Sequence, residues 1–347
     1  MRRREVLAGL AAGAGASSFF TAAAQQSPDP SRRIGVLMDL SAEDPEGRIR
    51  LNAFRTELAR LGWTEGKNTK IDVRWGAGIP SKMRQHGEEL IAAAPDAILA
   101  AGSLAVAALQ QLTTTVPVVF VTVADPVGAG YVQGLARPGG NITGFMLLEY
   151  SVGAKWLQLL KDVDPRVRRV AVLRDPAVAS GIGQFGAIQA AASSFGMEVS
   201  PIGMRDNEEM ARALDAFARA GNGGLIVTAS PLATLNRELI VAIAMRGRLP
   251  AVYSNSSFAL GGGLLSYSPD RVDQLRQAAS YVDRILKGEK PGELPVQAPT
   301  KYELIINLKS AKVLGLIIPP TLLARADEVI EQPTTSELPD VTYATRA

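Results

Sequence analysis

The chain repeats itself at a spacing of well over a hundred residues. Ile34-Gly35-Val36-Leu37-Met38-Asp39 corresponds to Val170-Ala171-Val172-Leu173-Arg174-Asp175 at an offset of 136, and Ala97 to Ser103 corresponds to Gly224 to Ser230 at an offset of 127. Pro117-Val118-Val119-Phe120 matches Pro250-Ala251-Val252-Tyr253 at 133, and Gly139 to Thr143 matches Gly262 to Ser266 at 123. One such pair carries little weight, because buried parallel strands all read as apolar runs. Four in the same order at similar offsets predict two like-built lobes, and 347 residues suffice for two cores.

The repeated unit is α/β. Short runs rich in Val and Ile alternate with helical stretches, the pattern of βαβ units and parallel sheets. In the first half strands are expected at Ile34 to Met38, Lys70 to Arg74, Ala97 to Ala101 and Val118 to Thr122, with helices at Glu46 to Leu61, Ser81 to Ala93 and Leu104 to Gln111. In the second half strands are expected at Arg169 to Leu173, Glu198 to Ile202, Gly224 to Thr228 and Ala251 to Ser254, with helices at Gly183 to Phe195, Asn207 to Ala218 and Leu232 to Met245. Ligands of open parallel sheets bind beyond the carboxyl ends of the strands, so two facing lobes enclose a cleft that a hinge can close. Chain crossings are expected at Gly144 to Ser151, near Asp283 to Lys290, and at Gly292 to Pro299, after which Tyr302 to Leu308 returns to the first lobe. This divides the chain into 31–148 plus 288–331 as one lobe, 149–287 as the other, and a poorly ordered tail at 332–347.

Composition removes much chemistry. With no Cys there is no disulfide, thiolate zinc site or cysteine nucleophile, and His86 as the single His rules out sites built from several imidazoles. Arg2, Arg3 and Arg4 precede a short uncharged run and Ala22-Ala23-Ala24, the plan of a secretory signal cleaved after Ala24. Arg3-Arg4-Glu5-Val6-Leu7 resembles a twin-arginine signal. Once Arg2, Arg3, Arg4 and Glu5 leave with it, 34 basic and 33 acidic residues remain, with no basic block for a nucleic acid. An exported binding protein with no Cys to carry a lipid anchor is expected in a periplasm.

No G-x-S-x-G, P-loop or H-E-x-x-H motif occurs. Gly181-Ile182-Gly183-Gln184-Phe185-Gly186 fits G-x-G-x-x-G but lies several residues beyond its strand, so a flexible loop is expected there and no cofactor. His86 reads as a solvated helix residue, Trp63 and Trp156 as packing residues. The candidates lie in loops after strands: Ser41, Ser103, Thr122 and Asp125 in the first lobe; Asp175, Ser230 and Asn255 in the second. Small polar residues there cap helices. The same positions can serve a ligand, since a helix start offers N–H groups to a carboxylate and an Asp can receive an ammonium.

Leu61-Gly62-Trp63-Thr64-Glu65-Gly66-Lys67-Asn68, Ala124-Asp125-Pro126-Val127-Gly128, Ala136 to Gly144, Tyr281 to Gly288, Glu303 to Leu308 and Ala311 to Leu316 resemble ABC transporter substrate-binding proteins of the tryptophan-binding-protein-like family. The resemblance implies a type I periplasmic-binding-protein fold, two lobes joined by three crossings, no catalysis, and delivery of a small ligand to an inner-membrane permease with its ATPase; a monomer is expected. Carried over by position, Ser41, Ser103, Asp125, Asp175, Ser230 and Asn255 would line the cleft. The ligand is expected to be a small organic solute, amino-acid-like or a small acid. The alternative is a two-lobed α/β enzyme, transferase-like, using Asp125 or Asp175 as general base.

Overall fold

The computed structural model describes residues 31–177 and 179–331. The expected signal at 1–24 and the tail at 332–347 lie outside the described residues. The first lobe opens with β1 (Arg32–Met38), α1 (Pro45–Arg60), β2 (Thr69–Trp75), α2 (Pro80–Ala92), β3 (Ala97–Ala101), α3 (Ser103–Leu112), β4 (Val118–Val123) and β5 (Ile142–Met146). These strands form a five-stranded parallel sheet in the order β2-β1-β3-β4-β5. Strands β3, β4 and β5 are buried along their whole length, which is why they read as unbroken apolar runs.

The second lobe follows with α4 (Val152–Val163), β6 (Arg169–Arg174), α5 (Ala179–Ala192), β7 (Glu198–Gly203), α6 (Asn207–Arg219), β8 (Gly223–Val227), α7 (Pro231–Leu235), α8 (Arg237–Arg246), β9 (Ala251–Tyr253), α9 (Ser256–Leu260) and β10 (Leu265–Pro269). The chain then runs through α10 (Arg271–Leu286), β11 (Tyr302–Asn307), α11 (Leu308–Leu314), α12 (Pro320–Leu323) and β12 (Glu328–Ile330). The second sheet has the order β12-β11-β10-β9-β8-β6-β7.

Three expectations are corrected. Helix α10 belongs to the first lobe: Leu275, Ala278, Ala279, Val282, Ile285 and Leu286 share a core with Ile34, Val36, Phe54 and Val119. Trp63 Nε1 donates to Asp283 Oδ1 at 2.8 Å, and Tyr281 packs on Phe145 with ring centroids 4.7 Å apart. The second crossing therefore falls between β10 and α10, not near Asp283 to Lys290. Conversely, Tyr302–Asn307 does not return to the first lobe; β11 pairs antiparallel with β10 in the second sheet. An amphipathic helix and an apolar strand declare that they are buried, but not against which sheet. The third correction is local: Gly181 to Gly186 lies within α5 and is no loop.

The helix expected at Leu232 to Met245 is broken at Asn236, which ends α7 and begins α8. Trp156 is fully buried and donates from Nε1 to the carbonyl of Tyr267 at 2.9 Å. The hinge side is tied by Met146 N–H donating to Gln297 O (2.7 Å), Gln297 N–H to Gly144 O (2.9 Å) and the Thr143 hydroxyl to Leu294 O (2.6 Å). Gly144 has φ +154°, and a Cβ there would collide with the backbone of Phe120 on β4. Gly144→Ala is therefore expected to destabilise the protein by about 1–3 kcal/mol through overpacking against an immovable backbone. Urea unfolding of the two proteins side by side measures this.

Candidate functional site

The carboxyl ends of β1, β3 and β4 face the start of α7 across the gap between the lobes. An inner chamber there, about 30 Å³, is lined by Asp39, Gly102, Ser103, Thr122, Ser230 and Arg271 among others. Each polar lining group is placed by the end of an element. Asp39 follows β1. Ser103 opens α3, whose N-cap Gly102 supplies no side chain, so the N–H groups of the first turn stand toward the chamber. Gly102 has φ +83°, and a Cβ on it would meet the Asp39 carboxylate at 2.7 Å, so the approach of that carboxylate to the helix start needs glycine.

Thr122 sits where the register of β4 and β5 shifts, with φ +58°. A β-branched residue in the left-handed region is strained, and such strain concentrates at functional sites. Its hydroxyl is buried without a hydrogen-bond partner, as is Oδ1 of Asp39, which is only 5% exposed.

Asp39 lies in a buried set of four charges. Glu46 and Arg50 pair on α1, one turn apart, and Arg271 stands at the start of α10 with its Nη2 donating to Ser254 O of the second lobe at 3.0 Å. The set holds two carboxylates and two guanidiniums, so its net charge is zero. Burial pushes the Asp39 carboxyl above its ordinary range, with Arg50 and Arg271 opposing. Burial would also raise Glu46, but Arg50, Arg271 and the amide of Asn255 outweigh it and hold the group at about 2. Arg271 falls to about 10, because burial and Arg50 disfavour its charge more than Glu46 and Asp39 support it.

An outer chamber of about 380 Å³ adjoins the inner one through Ser103 and Leu104, and takes in Asp125, Tyr131, Tyr150 and Ile182. Asp125 Oδ1 accepts the Gly128 N–H at 2.7 Å, and the Tyr131 hydroxyl donates to Ser103 O at 3.0 Å. Burial, then the charge of Asp125, pushes the Tyr150 hydroxyl up to about 12.

The structure thus gathers Ser103, Thr122 and Ser230 around the inner chamber and places Asp125 in the outer one. Ser230 also caps α7, accepting the Ala233 N–H at 3.0 Å. Asn255 turns its amide to Glu46 of the opposite lobe, with Nδ2 at 3.0 and 2.9 Å from the two carboxylate oxygens. Ser41 and Asp175 stand in turns outside the two linings: Ser41 O accepts the Asp44 N–H, and Asp175 Oδ1 accepts the Ala177 N–H. Asp39, Glu46, Arg50 and Arg271 were not among the residues expected from sequence. One signal was available, since Asp39 is the repeat mate of Asp175. Among the described residues no group of three or more His, Asp or Glu side chains is placed to hold a metal ion, and no helix is long and apolar enough to cross a membrane.

The model of a family described as ABC transporter substrate binding protein matches residues 43–330. A tyrosine-binding protein of Clostridioides difficile is 23% identical over 288 residues, 83% of each chain. Among solved structures, an ABC domain from Streptococcus pneumonia in complex with L-Trp superposes with a TM-score of 0.81 at 25% identity, covering 86% of this chain and all of that one. A conserved domain protein from Vibrio cholerae O1 biovar El Tor gives 0.81 at 27% identity over 86% of this chain and 99% of that one. Together with more distant solute-binding structures of the same plan, these matches identify the two-lobed α/β architecture as that of the type I periplasmic binding proteins.

The shift at Glu46 has a consequence for acid stability. Its carboxylate is held below the ordinary 4.5, so its stabilisation is complete above that value and is lost as pH falls toward 2, on the order of 3 kcal/mol in all. Asp39 acts in the opposite sense, its cost growing as pH rises from 3.8 through the raised value. Glu46→Gln is expected to destabilise the protein at neutral pH by about 3–5 kcal/mol, leaving its guanidinium partners uncompensated, and to flatten the loss between pH 4.5 and 2. Denaturant titrations at several pH values report both effects.

Proposed function

The chain belongs to the ABC transporter substrate-binding protein family, and from that premise we propose that it is the periplasmic solute receptor of an importer, a monomer that closes its cleft on a small amino-acid-like solute and passes it to an inner-membrane permease driven by an ATPase. The family is one of solute-binding proteins rather than enzymes. The observation that carries the solute class is the buried Asp39 carboxylate with a free Oδ1 in a chamber that also holds Arg271 and the uncapped start of α3. A zwitterion answers both signs: its ammonium donates to Asp39, and its carboxylate takes the helix N–H groups and the guanidinium edge. Ser103, Thr122 and Ser230 supply the remaining hydrogen bonds, and the larger outer chamber, with Tyr131, Tyr150 and Asp125, receives the side chain. The outer chamber, about 380 Å³, falls in the range of small-molecule sites.

The relatives that bind tyrosine and L-Trp support an amino acid as the solute. The periplasmic location rests on the Arg2 to Ala24 signal and the absence of Cys.

Thermal unfolding in the presence of each proteinogenic amino acid and a set of small carboxylic acids tests the reading. A true solute at a hundredfold excess over its Kd adds about 2.7 kcal/mol of stability. Asp39→Asn keeps the shape but removes the charge-assisted acceptor, and is expected to weaken that solute by about 10- to 100-fold. A library without a single shift, or an Asp39→Asn protein that binds amino acids as tightly as the parent, overturns the proposal.

A further inference from the structure

Among the described residues outside the chamber lining, two side-chain contacts at the start of α1 join the lobes. Arg237 Nη1, at the start of α8, donates to Asp44 Oδ2 at 2.8 Å, and Asn255 Nδ2 bridges the Glu46 carboxylate. All four groups are largely withdrawn from water: the Asp44 side chain is 5% exposed, Arg237 21%, Glu46 15%, and Asn255 is buried. Each second-lobe donor comes from a helix start and each first-lobe acceptor from the start of α1. Asp44 and Asn255 are at the same time N-caps, Asp44 Oδ1 accepting the Glu46 N–H at 2.9 Å and Asn255 Oδ1 accepting the Ser257 N–H at 3.2 Å. The caps fix the backbone, so the remaining oxygen and the amide nitrogen point across the seam without further loss of side-chain freedom. The break at Asn236 is what starts a new helix at Arg237 opposite Asp44.

We propose that Arg237 and Asn255 are positioning residues for solute capture: they clasp the lobes shut without touching the solute. Asp44 and Glu46 form the first-lobe half of the clasp. Glu46 is the joint between clasp and chamber, because it pairs with Arg50 and shares the electrostatics of Arg271, which lines the chamber. When the lobes part, Glu46 loses Asn255, Asp44 loses Arg237, and Ser254 O loses Arg271. The closed arrangement is thus favoured even without solute, and solute affinity depends on residues that never meet it. The proposal rests on the solute-receptor reading for its purpose, but not for its test.

The test is the distance between the lobes in the ligand-free full chain. With no native Cys, Lys82→Cys on exposed α2 and Glu208→Cys on exposed α6 take spin labels at those two places alone. The parent is expected to show a dominant short distance. Asn255→Asp preserves the cap, since Asp serves as well as Asn there. It sets a second carboxylate against Glu46 and is expected to shift the closed-to-open ratio about tenfold or more toward open. Adding Glu46→Gln to Asn255→Asp moves the charge across the seam, restores a donor and an acceptor, and should return the short distance, a rescue that a merely structural role would not produce. Asp44→Asn, which also keeps its cap, gives an independent reading of the Arg237 contact and is expected to lengthen the distance. A parent already open, an Asn255→Asp distribution identical to the parent's, or a double variant that stays open each overturns the clasp. A failed solute screen leaves this measurement intact, and unchanged distances leave the solute reading intact.

Discussion

The burial of four charges at the seam constrains everything around it. Asp39, Glu46, Arg50 and Arg271 are withdrawn from water, and isolated charges in that position would cost several kcal/mol each. They are tolerable only as a neutral set. The set in turn fixes the positions of the carboxyl end of β1, the first two turns of α1 and the first residue of α10. Those are the elements that frame the inner chamber, so the electrostatic requirement and the shape of the site are one constraint.

That constraint explains why the chamber keeps hydrogen-bonding capacity in reserve. A fully satisfied network would be inert toward a solute. Here Asp39 Oδ1, Arg271 Nε and the Thr122 hydroxyl are buried without hydrogen-bond partners, and Thr122 holds a backbone conformation that its branched side chain disfavours. Each of these costs folding stability, and each is offset by the apolar cores on either side of the cleft, where Val36, Leu99 and Val119 in one lobe and Val172, Ile226 and Val252 in the other are sealed from solvent. The strain is placed where packing can carry it.

The strands were legible in the sequence because a buried parallel strand has little choice but to be apolar. Ala97–Ala101 coincides with its expected bounds, and β1, β4, β6 and β8 differ from theirs by only a residue or two at an end. Helix boundaries were as clear where a capping residue marked them, as at Asp206 before α6. The assignment of α10 and β11 to lobes was not legible, since periodicity reports burial and not partner. Of the residues around the inner chamber, Ser103, Thr122 and Ser230 could be placed there from their position after strands. Glu46, Arg50 and Arg271 could not, because a charged residue on an amphipathic helix ordinarily faces water, and Arg50 at 1% exposure looks no different in sequence from Arg48 beside it. Asp39 reads as the end of a strand motif, although its repeat mate Asp175 stands in the loop after the equivalent strand.

The crossing of α10 into the first lobe also sets an order of events during synthesis. The lobe begun first waits for a late element, because the core of Ile34, Val36 and Val119, partly covered by Phe54 and Leu58 of α1, is closed by α10 only when residue 286 has been made. A chain emerging from the ribosome therefore carries an incomplete first lobe through the whole synthesis of the second sheet's first five strands. A truncated chain ending after β10 would expose the apolar surface that α10 covers, so the length of the polypeptide itself decides when the cleft can first exist.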